Sequence, residues 1–192
     1  MTEDEVLHEF RASGALLEGH FKLSSGRHST HYLQCALVLM DPMRAARLAT
    51  ALVQKIPRDL RQQVDRIVSP AMGGVIIGHE VGRALDKEAL FAERPEGTFE
   101  FRRGFALKQG TKVLLVEDVV TTGLSSREAM EAIRAEGGEV VAAAALVDRS
   151  GGEVDFGVPF FPLVQLSIPT YAEGELPPEL AAIPAEKPGS RK

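Results

Sequence analysis

Two adjacent carboxylates, Glu117 and Asp118, end the apolar run Val113–Val116. Val119 and Val120 follow, then the turn Thr121-Thr122-Gly123, then Leu124, Ser125 and Ser126. Acids delivered by a buried strand can accept hydrogen bonds from sugar hydroxyls. The amides and hydroxyls of a loop opening into a helix can donate to a phosphate, where the helix dipole also favours negative charge. This order of residue types suits a phosphorylated sugar. One acid serving only as a turn cap is the plainer reading, but tandem acids ahead of Thr-Thr-Gly favour chemistry.

Two further polar stretches follow apolar runs. Arg66-Ile67-Val68-Ser69 leads into Pro70-Ala71-Met72-Gly73-Gly74, whose amides can face an anion or simply make a tight turn. Glu139–Val147 is a nearly unbroken apolar run, as in a strand buried on both faces. It ends in Asp148-Arg149-Ser150-Gly151-Gly152. A guanidinium there suits a planar anion; a salt bridge to Asp148 or a tail acid is the alternative.

The elements that must hold these residues alternate. Thr2–Arg11 reads as a helix with capping-box spacing, stopped near Gly14. Gly19–Gln34 reads as two extended pieces around a turn at Leu23–Gly26. It carries three histidines, Arg27 and Tyr32, and suits either a surface hairpin or a pocket wall. Asp41-Pro42 opens a helix that Pro57 stops. Arg58–Asp65 reads as a charged connector. Helices are expected at Val75–Leu85 and Ser126–Glu136, and strands at Ala89–Ala92, Lys112–Asp118 and Phe160–Ile168. Glu93–Phe105 breaks the rhythm with Arg94, Arg102 and Arg103. It reads as a mobile cover or as a solvated hairpin whose arginines pair with Glu93, Glu96 and Glu100. Residues from about 170 read as a flexible tail closing on Lys-Pro-Gly-Ser-Arg-Lys.

Alternating strands and helices give an α/β parallel sheet, and such sheets bind ligands beyond the carboxyl ends of their strands. The three polar strand ends then face one crevice. The length of 192 residues fits a single domain. A net charge of -5 excludes a general nucleic-acid binder. The acidic N-terminus is unlike a targeting peptide, and no apolar run reaches the roughly 20 residues a membrane span needs. One cysteine, Cys35, excludes an internal disulfide and fits a cytoplasmic home. Cys35 reads as a small buried apolar residue. His28 and His31 lack the partners of a metal site, and none is assigned.

Val113–Ser125 resembles the phosphoribosyl-pyrophosphate (PRPP) motif of type I phosphoribosyltransferases. It is neither a Walker A loop, since Leu124 follows Gly123, nor a three-glycine dinucleotide fingerprint. Phe-Lys-Leu-Ser-Ser-Gly-Arg-His-Ser-Thr-His-Tyr (21–32), Ser-Pro-Ala-Met-Gly-Gly (69–74) and Val-Asp-Arg-Ser-Gly-Gly (147–152) resemble segments of the orotate phosphoribosyltransferases. The Arg-Arg-Gly-Phe loop is similar to a thermophile-type bacterial subgroup of them.

The resemblance implies the type I fold: a central, mostly parallel sheet flanked by helices, an N-terminal hood over about residues 1–40, and a mobile loop. It implies transfer of the phosphoribosyl group from PRPP to orotate with Mg²⁺, giving orotidine 5′-monophosphate and pyrophosphate in pyrimidine biosynthesis. Glu117 and Asp118 would hold the ribose hydroxyls, and Val119 to Ser125 would line the PRPP site. Thr121, Arg149 and Tyr32 would meet orotate. Ala71, Met72, Gly73, Arg94, Arg102 and Arg103 would serve the pyrophosphate, the loop reaching across a homodimer. Mg²⁺ would be held mainly by PRPP, with no direct protein ligand assigned. Glu117, where aspartate is common, also occurs in purine phosphoribosyltransferases, so a xanthine or adenine enzyme is an alternative. A PRPP-sensing regulator without turnover is another.

Overall fold

The structure is a computed structural model and describes residues 1–23 and 25–187. The turn expected at Leu23–Gly26 therefore includes one residue, Ser24, outside the described ones, as does the tail's close from 188. In chain order the elements begin with α1 (Glu3–Ala12), β1 (Leu16–Lys22), β2 (His28–Leu33), α2 (Cys35–Leu39), α3 (Pro42–Lys55) and α4 (Arg58–Gln63). Next come β3 (Arg66–Pro70), α5 (Gly74–Leu85), β4 (Glu88–Ala92), β5 (Lys112–Val120), α6 (Leu124–Ala135) and β6 (Glu139–Asp148). β7 (Phe160–Gln165), β8 (Thr170–Tyr171) and α7 (Pro178–Ala181) finish the chain.

Local chemistry sets the helix starts. Thr2 Oγ1 accepts from Glu5 N–H at 3.3 Å while Glu5 accepts from Thr2 N–H at 2.8 Å, closing the expected capping box. Asp41 accepts from the amides of Met43 (2.9 Å) and Arg44 (3.2 Å), with Pro42 in the first turn of α3.

β4, β3, β5, β6 and β7 form a five-stranded sheet in that order, with every pairing parallel. Side chains alternate along β5. Leu114 and Val116 join Leu48, Leu52, Ile77 and Val81 in the core under α3 and α5. Val113 and Leu115 join Ala129, Met130 and Ile133 in the core under α6. Pro162 lies in β7, an edge strand, where a missing ladder donor is tolerated.

β3 connects outward to β4 on one side, and β5 connects to β6 on the other. Their following helices, α5 and α6, pack into opposite cores. The order reverses between β3 and β5, the place where open α/β sheets bind ligands. The pairing of β3 with β5 ends at Val68 and Leu115, whereas β5 stays paired with β6 out to Val120 and Asp148. A crevice opens at the acids.

Several boundaries differ from expectation. The connector at 58–65 holds the helix α4, none of whose residues is buried. The excursion at 93–105 forms no strand: its one bridge joins Glu93 to Glu100 by amide–carbonyl bonds of 3.0 and 2.9 Å. α6 starts two residues earlier than expected, because Gly123 takes a left-handed turn (φ 73°) straight into it.

As far as residue 187 the tail lies against the N-terminal strands. β8 extends the antiparallel β1–β2 hood, and Arg27 donates to the Thr170 carbonyl at 2.6 Å and to Thr170 Oγ1 at 2.9 Å. Lys22 N–H donates to the Glu186 carbonyl, and Glu186 N–H to the His20 carbonyl, both at 2.8 Å. The His20 ring meets the Ile183 carbonyl through Nδ1 at 2.7 Å, and Nε2 meets His28 Nδ1 at 2.6 Å. A carbonyl only accepts, so His20 donates from Nδ1. Backbone pairing and this buried imidazole pair hold the tail on the hood.

Candidate active site

Three strand ends meet at the crevice. From β5 come Glu117, buried at 6% exposure, and the half-buried Asp118. From β3 comes the Ala71–Gly74 loop, in which the Ala71–Met72 peptide is cis. It runs so close that a Cβ on Gly73 would lie 2.6 Å from both Asp118 carboxylate oxygens. A Cβ on Gly74 would lie 3.0 Å from the Val116 carbonyl and 3.5 Å from Glu117 Oε2. From β6 comes Arg149, whose amide donates to the Val120 carbonyl at 2.8 Å.

Electrostatics mark the acids. Burial first, and the neighbouring Asp118 charge second, push the Glu117 carboxyl up to about 8. The Ser126 hydroxyl, 3.4 Å from Glu117, and the nearby Arg94 charge oppose that rise. Burial also raises Asp118. Arg149 is held below its ordinary value by burial, and its Nε has no hydrogen-bond partner among the described residues. An orphaned, buried guanidinium donor needs an acceptor that the protein does not supply. Cys35 lies beneath, as expected of a small buried residue, with Sγ 4.0 Å from the Asp118 carbonyl.

Thr121, Thr122, Leu124 and Ser125 are exposed on the loop and first turn of α6. No side chain accepts from α6 as an N-cap, apart from a 3.4 Å contact of Leu124 N–H with Thr122 Oγ1. The first-turn amides are open to an anion. Val119 and Val120 carry the backbone between acids and loop, with Val120 buried.

The excursion arginines are engaged elsewhere. Arg103 binds Glu93 at 2.8 and 3.0 Å, and Arg102 lies 3.5 Å from Glu100. This is the solvated-hairpin pairing for those two. Arg94 pairs with Glu128 on α6, stacks over Phe99 at 4.2 Å, and reaches to 3.5 Å from Ser125 Oγ. It stands at the phosphate-loop end of the crevice. Tyr32 sits in the hood with its ring centroid 5.8 Å from that of Phe21. A cavity of about 940 Å³ lies elsewhere, lined by residues such as Arg66, His79, Arg83 and Thr111 at the amino ends of strands and on α5. It gathers none of the groups above. Two contributors escaped the sequence reading: Ser126, which supports Glu117, and Arg127, which donates to the carbonyls of Thr122 and Asp155. Their only signal was position, just past the phosphate loop.

Comparisons with known proteins give the chain's family. Residues 39–156 match the phosphoribosyl transferase domain family. The orotate phosphoribosyltransferase of Novosphingobium aromaticivorans is 76% identical over 191 residues, covering all of this chain and 98% of that protein. That of Sphingopyxis alaskensis is 71% identical, covering all of this chain and 98% of that protein. The crystal structure of orotate phosphoribosyltransferase from Aeropyrum pernix superposes with a TM-score of 0.69 at 28% identity, covering 84% of this chain and 93% of that one. An adenine phosphoribosyltransferase from Thermoanaerobacter pseudethanolicus shares the fold alone, at 16% identity and a TM-score of 0.60 over 71% of this chain and 88% of that one. The chain belongs to the phosphoribosyltransferase family and, within it, to the orotate phosphoribosyltransferases.

Proposed function

We propose that this chain transfers the 5-phosphoribosyl group of PRPP to orotate, releasing pyrophosphate and forming orotidine 5′-monophosphate for pyrimidine biosynthesis. The observation that carries the base assignment is Arg149: a half-buried arginine with a buried, orphaned Nε, one strand away from the sugar-binding acids. A planar anion such as orotate supplies the missing acceptor. A purine supplies no carboxylate.

In the reaction the C1′–oxygen bond to pyrophosphate breaks and a bond from C1′ to a ring nitrogen of orotate forms. The ring nitrogen loses its proton as it bonds to C1′, and the departing pyrophosphate, whose oxygens gain negative charge, can take that proton. Asp118 and Glu117 orient the ribose through its hydroxyls, and Asp118 faces the positive charge that grows on the sugar. The 5′-phosphate rests on the hydroxyls of Thr121, Thr122 and Ser125 and on the loop and first-turn amides from Gly123 to Ser125. Ala71, Met72 and Gly73 present backbone to the leaving pyrophosphate, and Arg102 and Arg103 reach it when released from Glu100 and Glu93. Arg94 stands at the phosphate-loop end, and Thr121 lies between sugar and base. Tyr32 is assigned to the base from the hood.

The donor set fits an ion that arrives with the substrate. Two adjacent carboxylates face the crevice, and no three His, Cys, Asp or Glu side chains gather among the described residues. Mg²⁺ bound with PRPP would neutralise pyrophosphate charge, with Glu117 and Asp118 nearest to it through the ribose hydroxyls.

A homodimer, in which the loop of one subunit serves its partner's crevice, is part of the same reading. No helix among the described residues is long and apolar enough to cross a membrane, which is compatible with work in the cytoplasm. Pyrophosphate release from PRPP, measured with orotate, xanthine and adenine in turn, tests the reading. Release with orotate is expected; release with a purine alone would overturn it.

A further inference from the structure

Arg127 lies on the first turn of α6, and its contacts belong to two different loops. One terminal nitrogen, Nη1, donates to the Thr122 carbonyl at 2.8 Å. The other, Nη2, donates to the Asp155 carbonyl at 3.2 Å. Its guanidinium carbon also lies 5.6 Å from the centre of the Phe156 ring. Thr122 belongs to the phosphate loop. Asp155 and the buried Phe156 belong to the segment that runs on from Arg149.

The contact with Thr122 has a consequence for the backbone. Across a trans peptide the carbonyl and the next N–H point opposite ways. Holding the Thr122 carbonyl against Arg127 turns the Gly123 N–H away from it, and that amide has no backbone partner among the described residues. Gly123 itself backs onto the same group. A Cβ there would lie 2.9 Å from Phe156 Cε1, 2.9 Å from Val154 Cγ1 and 3.1 Å from Arg127 Nη1. The segment after Arg149 is tied at its own start as well: Ser150 N–H donates to Asp148 Oδ1 at 2.8 Å, and Val154 N–H reaches Ser150 Oγ at 3.4 Å. Arg127 therefore closes a connection from the phosphate loop to the strand end that carries Arg149.

We propose that Arg127 is a positioning residue that couples the two substrate loops, so that ordering one by its ligand favours the ordered form of the other. The proposal rests on the orotate and PRPP assignment above. A planar fork is required, because one group must reach two carbonyls at once. A lysine keeps the charge but offers a point donor in place of the fork.

The test compares wild type, Arg127→Lys and Arg127→Met. Steady-state kinetics are measured with orotate and PRPP. Orotate affinity is measured calorimetrically with and without ribose 5-phosphate, which cannot react. The wild type should bind orotate more tightly when ribose 5-phosphate is present. Arg127→Met should abolish that gain and raise KM for PRPP about tenfold, with a smaller fall in kcat. Arg127→Lys should resemble Arg127→Met. A wild type without the gain, a methionine variant that keeps it, or a lysine variant indistinguishable from wild type would each overturn the proposal. If the methionine variant only melts earlier and keeps the gain, the brace serves stability alone and the coupling role fails. Absence of orotate turnover by the wild type would instead overturn the reaction.

Discussion

The Asp118 carboxylate fills the space that a side chain at Gly73 would take: a Cβ there would lie 2.6 Å from each of its oxygens. The loop after β3 and the acid at the end of β5 are thus in direct register across the crevice. An alanine at 73 must push the acid or the loop aside, and both are groups the reaction needs.

Gly73→Ala should lower kcat/KM for PRPP by at least about tenfold, since a displacement of an ångström misaligns reacting groups. It should also lower Tm. In an Asp118→Ala background the same change should cost little further Tm, because the colliding oxygens are gone and contacting sites are non-additive. Equal costs in both backgrounds, read by thermal melts, would show that the clash is not with Asp118.

Glu117 gives a pH signature. Its ordinary value is 4.5, and in the folded chain it titrates at about 8 through burial and the Asp118 charge. Between these values the unfolded chain is ionised while the folded chain keeps the proton. The folded form then binds more protons, so this group's contribution to stability falls as pH rises across the window and levels off above it. Glu117→Gln removes that dependence. The Tm of the variant minus that of the wild type should grow from about pH 5 to about pH 8 and then flatten. A difference that is constant or shrinks would remove the buried, protonated carboxyl.

Arg149 separates function from structure. If it were a structural ion-pair residue, its loss would destabilise. Its Nε is orphaned, and burial holds its guanidinium below the ordinary arginine value. Arg149→Met should therefore leave Tm unchanged or higher, since a half-buried guanidinium with an unmatched donor is replaced by an apolar chain. KM for orotate should rise at least about tenfold with the loss of a charge-assisted contact. A lower Tm with unchanged orotate KM would make it structural.

Much of this was legible locally. The strands β3, β5 and β6 are apolar runs that end in polar residues, and the caps at Thr2 and Asp41 announce α1 and α3. The acids, the phosphate loop and Arg149 are within a few residues of those strand ends, so sequence order alone placed them. α4 was not legible because it has a single apolar residue, the half-buried Leu60, and so no apolar period. The docking of the tail was not legible because much of it uses main-chain groups of Lys22, His20 and Glu186, and because the acceptors of Arg27 and His20 are carbonyls far along the chain. The Arg127 brace was hidden for the same reason: its acceptors are two carbonyls. The excursion offered arginines and glutamates in similar number, and only their positions in space decide that Arg103 takes Glu93 while Arg94 takes Glu128.

The loop arginines make a test across subunits. Neutralising Arg102 and Arg103 together should reduce kcat by about tenfold or more, because charge on the leaving group is left unmatched. If the loop serves the partner's crevice, mixing this variant with an Asp118→Asn variant should restore part of the activity. Mixed samples no more active than the two apart would place the loop's action within its own subunit.

Asp118→Asn measures the sugar site most directly. The amide keeps the shape of the side chain at the end of β5 and removes the charge that faces the ribose. With orotate, Mg²⁺ and saturating PRPP, turnover at least about a hundredfold below wild type, at a Tm no lower than wild type, is expected. Near-wild-type turnover would contradict the placement of the phosphoribosyl group between β3 and β5.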